Sequence, residues 1–279
     1  MNPSLLNRVR AENPLVHNMT NQVVANDVAN TLLAVGASPI MAYAKEEVED
    51  IVNVSNALVL NIGTITKEVA ESMKIAGKKA NEKGIPVVLD PVGVGATPFR
   101  QRIVEELFSD IQFTLIRGNS AEIATLAGVP WESKGVDSKE GTASREDIAK
   151  DLAKTKQCVV AVSGKEDIIS DGHQTVKNLN GHPLLGRITG SGCMLSSVCG
   201  AFIGVSPTEA FESVVTAHTV FAVCGERAGE LHEVKGPGTF KPALHDALTL
   251  LTGEDLKKRA KVEEIKDEQS QRSLNNCRE

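Results

Sequence analysis

Short aliphatic runs alternate along the chain with stretches whose apolar residues recur at helical spacing. The aliphatic runs lie at residues 57–62, 87–90, 113–116 and 158–162. The helical stretches lie at residues 28–35, 68–83, 100–108, 122–126 and 148–154. Continuous apolar strands are typical of sheets that helices cover on both faces, and helical crossovers connect parallel strands. The pattern therefore predicts an α/β fold: a central, mostly parallel sheet flanked by helices in one layered α/β/α domain.

The pattern changes after residue 162. Residues 167–172 and 174–179 form two short runs around a glycine-containing turn, which predicts a β-hairpin. Helical spacing then dominates over residues 194–203, 207–230 and 241–251. The chain contains no internal repeat and no interior linker rich in Pro, Gly or Ser, so residues 1–253 are predicted to form a single domain.

Residues 254–279 form a tail that is dense in charged and polar side chains. Leu256, Ala260, Val262 and Ile265 make it weakly amphipathic as far as about residue 266. A segment with so few apolar residues buries too little surface to offset its conformational entropy. We therefore expect the tail to be partly helical and then disordered.

Composition and charge narrow the class of protein. Of the 279 residues, 41% are hydrophobic and only 3% are aromatic, so the core must be aliphatic. The net charge is −6, and no stripe of Lys and Arg with interleaved aromatic residues is present, which argues against nucleic-acid binding. The sequence shows no signal peptide and no run of about 18 apolar residues. We therefore expect a cytoplasmic protein that does not enter a membrane.

The five cysteines lie at positions 158, 193, 199, 224 and 277. Their number is odd and no CxxC spacing occurs, which argues against a disulfide framework and against a cysteine metal site. Cys158, Cys199 and Cys224 lie in apolar surroundings, so we expect them to be small buried hydrophobic residues. Cys193 differs because it lies in a glycine-rich turn.

This turn, formed by Gly190, Ser191, Gly192 and Cys193, leads directly into an apolar helical stretch. Two glycines allow several backbone N–H groups to point the same way, and the helix adds the positive end of its dipole. Such a turn is typical of an anion-binding site at a helix start. The sequence contains no GxxxxGK[ST] motif, so a P-loop is excluded as the nucleotide site.

Polar segments also follow the predicted strands. They lie at residues 61–64, 90–95, 117–122 and 163–167. Ligands of open α/β sheets bind at the carboxyl ends of the strands, so these segments and the glycine turn together predict a site at one edge of the sheet. Each segment taken alone is more typical of an ordinary turn, and it is their number at one edge that favours a site.

Asp90 and Glu122 are the carboxylates expected at this edge, and such oxygen ligands suit a Mg²⁺ ion that also contacts nucleotide phosphates. Glu122 is equally compatible with a first-turn acid stabilised by the helix dipole. Arg117 has the planar donor geometry to pair with a phosphate or with a neighbouring carboxylate. Taken alone, His17 and Asn18 are typical of helix caps, and Met41 is typical of a core.

Six segments in order along the chain resemble the hydroxyethylthiazole kinase family of thiamine salvage. They are VHNMTNQVVANDVANTLLAVGASPIMA, VLDPVGVGATPFR, IRGNSAEI, VSGKEDIISDG, GSGCMLSS and GPGTF, and together they cover roughly residues 13–250. The resemblance implies a ribokinase-like fold and a homotrimer with its sites at subunit interfaces. It implies transfer of the γ-phosphate of ATP, with Mg²⁺, to the hydroxyl of 4-methyl-5-(2-hydroxyethyl)thiazole.

The resemblance also implies roles for individual residues. The expected roles are thiazole binding by Met41, Gly190, Asn21 and Val23, ATP binding by Arg117 and Ser163, Mg²⁺ binding by Asp90 and Glu122, and catalysis at Ser191, Gly192 and Cys193. In related ribokinase-like enzymes an aspartate base stands at the position of Cys193. A thiol is a poor substitute for a carboxylate, so we expect Cys193 to be a weak base or a positioning group.

The chain departs from common family forms at Ser191, Ser163 and Tyr43, and the exchange at Ser163 retains a hydroxyl. Other kinases of the same fold, acting on hydroxymethylpyrimidine or pyridoxal, are competing interpretations. So are an ATP-dependent dehydratase for hydrated nicotinamide nucleotides and a binding protein that has lost turnover. The segments NMTNQVVAND and SPIMA favour the thiazole kinase.

Overall fold

The computed structural model describes residues 1–130 and 144–265, and in this part of the chain nine strands form one sheet. The strands are β1 Leu15–Met19, β2 Ser38–Ile40, β3 Ala57–Asn61, β4 Val87–Asp90, β5 Leu115–Asn119, β6 Val159–Ser163, β7 Asp167–Ser170, β8 Thr175–Asn178 and β9 Val262–Glu264. Their order is β2-β1-β3-β4-β5-β6-β7-β8-β9. The strands from β2 to β6 are parallel, and β7, β8 and β9 are antiparallel to their neighbours.

Helices cover both faces of this sheet. They are α1 Ser4–Glu12, α2 Ala25–Val35, α3 Val48–Val54, α4 Lys67–Lys83, α5 Pro98–Asp110, α6 Ser120–Leu126, α7 Arg145–Lys156, α8 Ser191–Val205, α9 Ala210–Glu230, α10 Pro237–Leu250 and α11 Gly253–Arg259. The predicted α/β/α architecture and the hairpin of β7 and β8 are confirmed. No helix within residues 1–130 and 144–265 is long and apolar enough to cross a membrane.

The core consists of two apolar clusters separated by the sheet. In β3, Val59 belongs to the cluster under α8 and α9, whereas Leu58 and Leu60 belong to the cluster under α4 and α5. This division follows from the two-residue period of a strand, which sends successive side chains to opposite faces. Helix α8 packs over β1, β3 and β4, so its first turn lies beside the carboxyl ends of the central strands.

Two segments differ from the sequence-based prediction. His17 and Asn18 are not helix caps but buried members of β1, where His17 Nε2 lies 2.9 Å from the Ala42 carbonyl and Asn18 Oδ1 accepts from Ser197. Each residue has one partner distant in sequence, which offsets part of the cost of burial, whereas His17 Nδ1 has no partner among the described residues. The strand expected over 113–116 begins two residues later, at Leu115.

The first part of the predicted tail packs against the domain. Leu256 of α11 is fully buried, and β9 pairs with β8 as the last strand of the sheet. The sheet therefore extends past residue 253. Strand β9 covers the edge of β8, which would otherwise be unpaired. Residues 266–279, on which the prediction of disorder falls, lie outside the described residues, as does Cys277.

Candidate active site

Polar side chains converge where the parallel strands end, as the strand-end pattern predicts. The register places Asn61 of β3 opposite Asp90 of β4, and Asn119 of β5 opposite Ser163 of β6. The first turn of α8 approaches the same edge, because Ser196 of that helix donates a hydrogen bond to Asp90. Four strand ends and one helix start therefore meet in one place.

The start of α8 exposes unpaired backbone donors. Gly190 precedes the helix with φ of 79°, a left-handed conformation that favours glycine, and a side chain there would place its Cβ 2.9 Å from Val24 Cβ. The first hydrogen bond within the helix is donated by the Met194 N–H. Within residues 1–130 and 144–265, no group accepts from the N–H groups of Ser191, Gly192 and Cys193. This is the geometry of an anion site at a helix start.

Arg117 extends from β5 across this helix start. Its side chain is buried, with 7% of its surface exposed, and its Nε donates to Ser163 Oγ at 3.0 Å. A second guanidinium N–H donates to the same hydroxyl. A methyl group on Gly192 would lie 3.2 Å from Arg117 Cζ and closer to Nη1, so the guanidinium covers this glycine. In the described part of the chain Arg117 forms no ion pair. The structure therefore does not contain the alternative that the sequence left open, in which Arg117 pairs with a neighbouring carboxylate.

Asp90 is fully buried beside this cation. Its Oδ2 accepts from Asn61 Nδ2 at 2.7 Å and from Ser196 Oγ at 2.9 Å. Its Oδ1 has no hydrogen-bond partner among the described residues. The pKa of Asp90 is raised to about 6, mainly by burial and in part by the negative charge of Glu122, against the opposing attraction of Arg117. A buried carboxylate oxygen without a partner is costly, and it is available to a cation or a donor.

Glu122 stabilises the start of α6, which was the alternative to metal binding that the sequence left open. It forms a capping box with Asn119, in which Glu122 N donates to Asn119 Oδ1 and Asn119 N donates to Glu122 Oε2 at 2.8 Å. Its Oε1 accepts from Gly93 N at 2.9 Å. Each oxygen keeps a further lone pair. The capping role and a metal-binding role are therefore compatible.

Cys193 is the third residue of α8 and is buried, with 9% of its surface exposed. Asn21 Nδ2 lies 3.4 Å from its sulfur. Burial, aided by the negative charge of Asp90, raises the pKa of this thiol to about 11. The helix start therefore does not produce a thiolate here, and the group is uncharged near neutral pH.

The residues predicted to contact the thiazole are only partly brought together. Asn21 lies against Cys193, and Val24 packs on Gly190. Met41 follows β2 near the edge of the sheet and packs on the core, whereas 66% of the Val23 side chain is exposed. Val23 is linked to Asn21 through its backbone, because its N–H donates to Asn21 Oδ1 at 3.2 Å.

Asn61, Ser196 and Arg100 are site residues that the sequence-based assignment did not include. Asn61 Oδ1 accepts from Asn21 Nδ2 at 3.0 Å while its own amide nitrogen donates to Asp90, so it links three strand ends. Arg100 donates to the carbonyls of Ile62 and Gly63 at 2.7 Å each and joins the loops after β3 and β4. Asn61 carried a recognisable signal, because it is an amide at the end of an otherwise apolar strand.

Comparison with known proteins shows the family of this chain. The profile of the hydroxyethylthiazole kinase family matches residues 6–254. A hydroxyethylthiazole kinase from Listeria monocytogenes serotype 4a (strain HCC23) is 52% identical over 259 residues, which cover 93% of this chain and 96% of that protein. The chain belongs to the hydroxyethylthiazole kinase family. Both the predicted family and the predicted enzyme class, a phosphotransferase, are therefore confirmed.

Solved structures agree at the level of the fold. The structure of the hydroxyethylthiazole kinase from Pyrococcus horikoshii OT3 matches with a TM-score of 0.86 and 41% identity, and covers 94% of this chain and 98% of that one. A pyridoxal kinase from Staphylococcus aureus, solved in complex with pyridoxal, matches with a TM-score of 0.61 but only 15% identity over 90% of this chain and 97% of that one. The second match shows the shared ribokinase-like fold alone.

Proposed function

We propose that this enzyme transfers the γ-phosphate of ATP to the hydroxyl of 4-methyl-5-(2-hydroxyethyl)thiazole, which yields the thiazole phosphate used in thiamine salvage. The main support for the proposal is that three N–H groups at the start of α8, which have no acceptor among the described residues, lie beside the buried Arg117 cation. Backbone donors and a guanidinium that forms no ion pair within the described residues together constitute a site for a highly charged anion.

Positioning and charge neutralisation account for most of the catalysis in phosphoryl transfer. In this proposal the N–H groups of Ser191, Gly192 and Cys193 hold the oxygens of the transferred phosphoryl group. Arg117, oriented by Ser163, neutralises charge on the same phosphates. Because these donors are fixed before the substrate binds, little reorganisation is needed as charge develops.

We propose that Mg²⁺ acts with ATP and is held by Asp90 and Glu122. Magnesium commonly uses one or two carboxylates, with water and phosphate oxygens as its other ligands. The free Oδ1 of Asp90 fits that requirement, and Glu122 is near enough to raise the pKa of Asp90. Held by Asp90 and Glu122, the ion would offset the negative charge of the phosphates during transfer.

Cys193 is assigned a positioning role rather than that of a strong base. Its thiol is protonated near neutral pH, and Asn21 donates toward the sulfur from the wall of the same site. A loose transition state requires the alcohol proton to leave only late, so strong base assistance is dispensable. Asn21 and Gly190, with Met41 and Val23, are proposed to line the thiazole pocket.

A homotrimer with its sites at subunit interfaces is part of the proposal. The 66% exposure of Val23 supports it, because a hydrophobic pocket residue that is open to water in one chain would be covered by a second copy. We also propose a cytoplasmic location, where ATP is available. Analytical ultracentrifugation should give three times the mass of the 29.7-kDa chain.

Val23→Asp should dissociate that trimer, whereas Val54→Asp should leave it intact. Val54 is 65% exposed, and it lies at the end of α3 that leads into the amino end of β3, away from the strand ends of the site. Equal masses for wild type and Val23→Asp would refute the role of Val23 in the interface.

The activity is tested by incubating the protein with ATP, Mg²⁺ and the thiazole alcohol, followed by mass spectrometry. Phosphorylated thiazole together with ADP is the expected product. Phosphorylated pyridoxal or hydroxymethylpyrimidine without phosphorylated thiazole would favour the competing kinases. ATP-dependent dehydration of hydrated nicotinamide nucleotides would favour the dehydratase, and binding without any product would indicate a protein that has lost turnover.

A further inference from the structure

A buried carboxylate–imidazole pair connects α9 with the turn between β6 and β7. Asp167 is the first residue of β7, and His218 lies on the buried face of α9. His218 Nδ1 and Asp167 Oδ2 are 2.9 Å apart, and His218 is inaccessible to solvent. The other ring nitrogen, Nε2, has no hydrogen-bond partner among the described residues.

Packing alone gives no reason for this pair. Apolar residues of similar volume commonly stabilise a buried position as well as or better than ionisable ones, since the latter must be desolvated. The unpaired Nε2 adds to that cost. Near His218 on α9, Ala217 and Val220 are fully buried apolar residues, and the buried Thr219 has its hydroxyl satisfied by the Val215 carbonyl.

The other carboxylate oxygen of Asp167, Oδ1, connects the Asp167–His218 pair to the turn after β6. Asp167 Oδ1 accepts a hydrogen bond at 3.1 Å from the N–H of Gly164, the residue directly after Ser163. Arg145 holds the same turn from outside, where its Nη2 donates to the Glu166 carbonyl at 2.7 Å. Asp167 therefore anchors the turn to α9 from within.

The turn depends on these side chains. Within the described residues, no main-chain hydrogen bond outside the strand ladder closes residues 163–167. The next turn of the same sheet, between β7 and β8, differs because Asp171 N donates to the Gln174 carbonyl and closes it. Ser163 is therefore held by its place at the end of β6, and the turn directly after it is fixed in addition by the Asp167 carboxylate.

We propose that Asp167, held by His218, is a positioning residue for nucleotide binding: it fixes the turn that presents the Ser163 hydroxyl to Arg117. The connection runs from α9 through Asp167 and Gly164 to Ser163, and from there to the guanidinium over Gly192. The inference rests on the proposed function in one respect, namely that Arg117 and Ser163 bind the phosphates of ATP.

The test compares Asp167→Ala with Asp171→Ala. Both variants remove an aspartate that accepts backbone hydrogen bonds in a hairpin turn at one end of β7, but only Asp167 holds the segment that carries Ser163. The measurements are kcat, KM for ATP, KM for the thiazole alcohol and melting temperature. The affinity for the nonhydrolysable nucleotide AMP-PNP with Mg²⁺, from isothermal titration calorimetry, adds a readout that does not need the alcohol.

Asp167→Ala should weaken AMP-PNP binding and raise KM for ATP by about tenfold, the effect of losing one charge-assisted hydrogen bond. KM for the alcohol should change by less than about threefold. Ser163→Ala should give a similar pattern. Asp171→Ala should lower the melting temperature without changing nucleotide affinity. Asp167→Asn should restore most of the affinity, because its amide oxygen still accepts from Gly164 N and its nitrogen can donate to His218.

Equal nucleotide affinities for Asp167→Ala, Asp171→Ala and wild type would overturn the proposal, as would a Ser163→Ala variant with unchanged affinity. If Asp167→Ala does not fold, His218→Leu replaces it, since it leaves Asp167 without its anchor, and the same loss is expected. Failure to phosphorylate the thiazole with normal AMP-PNP binding would refute the proposed substrate and leave this inference standing.

Discussion

Replacing Gly192 by alanine would place a methyl group against the guanidinium of Arg117. The added Cβ would lie 3.2 Å from Cζ and from Nη2, and closer to Nη1, so the guanidinium must shift by about 1 Å to reach ordinary contact distance. Arg117 Nε now lies 3.0 Å from Ser163 Oγ. A shift of that size takes the pair beyond hydrogen-bonding distance and moves the charge away from the start of α8.

The expected cost falls on catalysis rather than on folding. Loss of a hydrogen bond to a charged group, or a 1 Å misplacement of a charged group in the site, corresponds to a 10- to 100-fold fall in kcat/KM for ATP, which is about 1.4 to 2.7 kcal/mol. Alanine in place of glycine inside a helix stabilises it by about 0.5–1 kcal/mol, which offsets the cost of the displaced side chain. The melting temperature should therefore change by no more than about 3 °C.

The assay measures ADP release in a coupled spectrophotometric reaction with the thiazole alcohol saturating and ATP varied. Gly186→Ala is the matched control, because a methyl group there meets no atom within 4 Å and the residue is exposed. It should retain wild-type kinetics. A Gly192→Ala enzyme whose kcat/KM for ATP stays within threefold of wild type would refute the placement of the phosphate between α8 and Arg117.

Three further changes examine the other groups of the site. Cys193→Ser should lower kcat by less than about 10³-fold, because burial raises the thiol pKa to about 11 and the sulfur is uncharged near neutral pH; a larger loss would identify Cys193 as a strong general base. Asp90→Asn should reduce activity yet raise the melting temperature at pH 8. Burial raises the Asp90 pKa from 3.8 to about 6, so above pH 6 the buried negative charge lowers the free energy of unfolding by at most about 3 kcal/mol. This gain should disappear as the pH falls from 6 toward 3.8, where the wild-type carboxyl is already protonated, and a lower melting temperature at pH 8 would contradict it. Glu122→Gln should raise the Mg²⁺ concentration needed for half-maximal rate, and an unchanged Mg²⁺ titration would remove Glu122 from metal binding.

The elements that the sequence predicted well are those that residues close together along the chain determine. The runs at 57–62 and 87–90 are apolar throughout and became β3 and β4, because a strand buried on both faces must be apolar in consecutive positions. The elements that it missed depend on distant partners. In β1, His17 and Asn18 are buried only because Ala42 and Ser197 supply hydrogen bonds from other parts of the chain.

The tail is a second example of a distant partner. Residues 262–264 are one valine and two glutamates, too few to form a strand pattern of their own, yet they pair with β8 through backbone groups. Hydrophobic patterning contains no information on such an edge strand, so the division at residue 253 did not anticipate it.

For the site, sequence alone determined that polar segments follow parallel strands and that a glycine turn starts an apolar helix. These facts depend on neighbouring residues, and they were sufficient to predict an anion site at one sheet edge. Only the tertiary structure decided which groups meet there: Arg117 over Gly192, Asn61 between Asn21 and Asp90, and an Asp90 oxygen that has no partner in the described part of the chain. The reason is physical, since strand order and helix packing bring together residues far apart along the chain, and burial then sets the charge and hydrogen-bonding state of each.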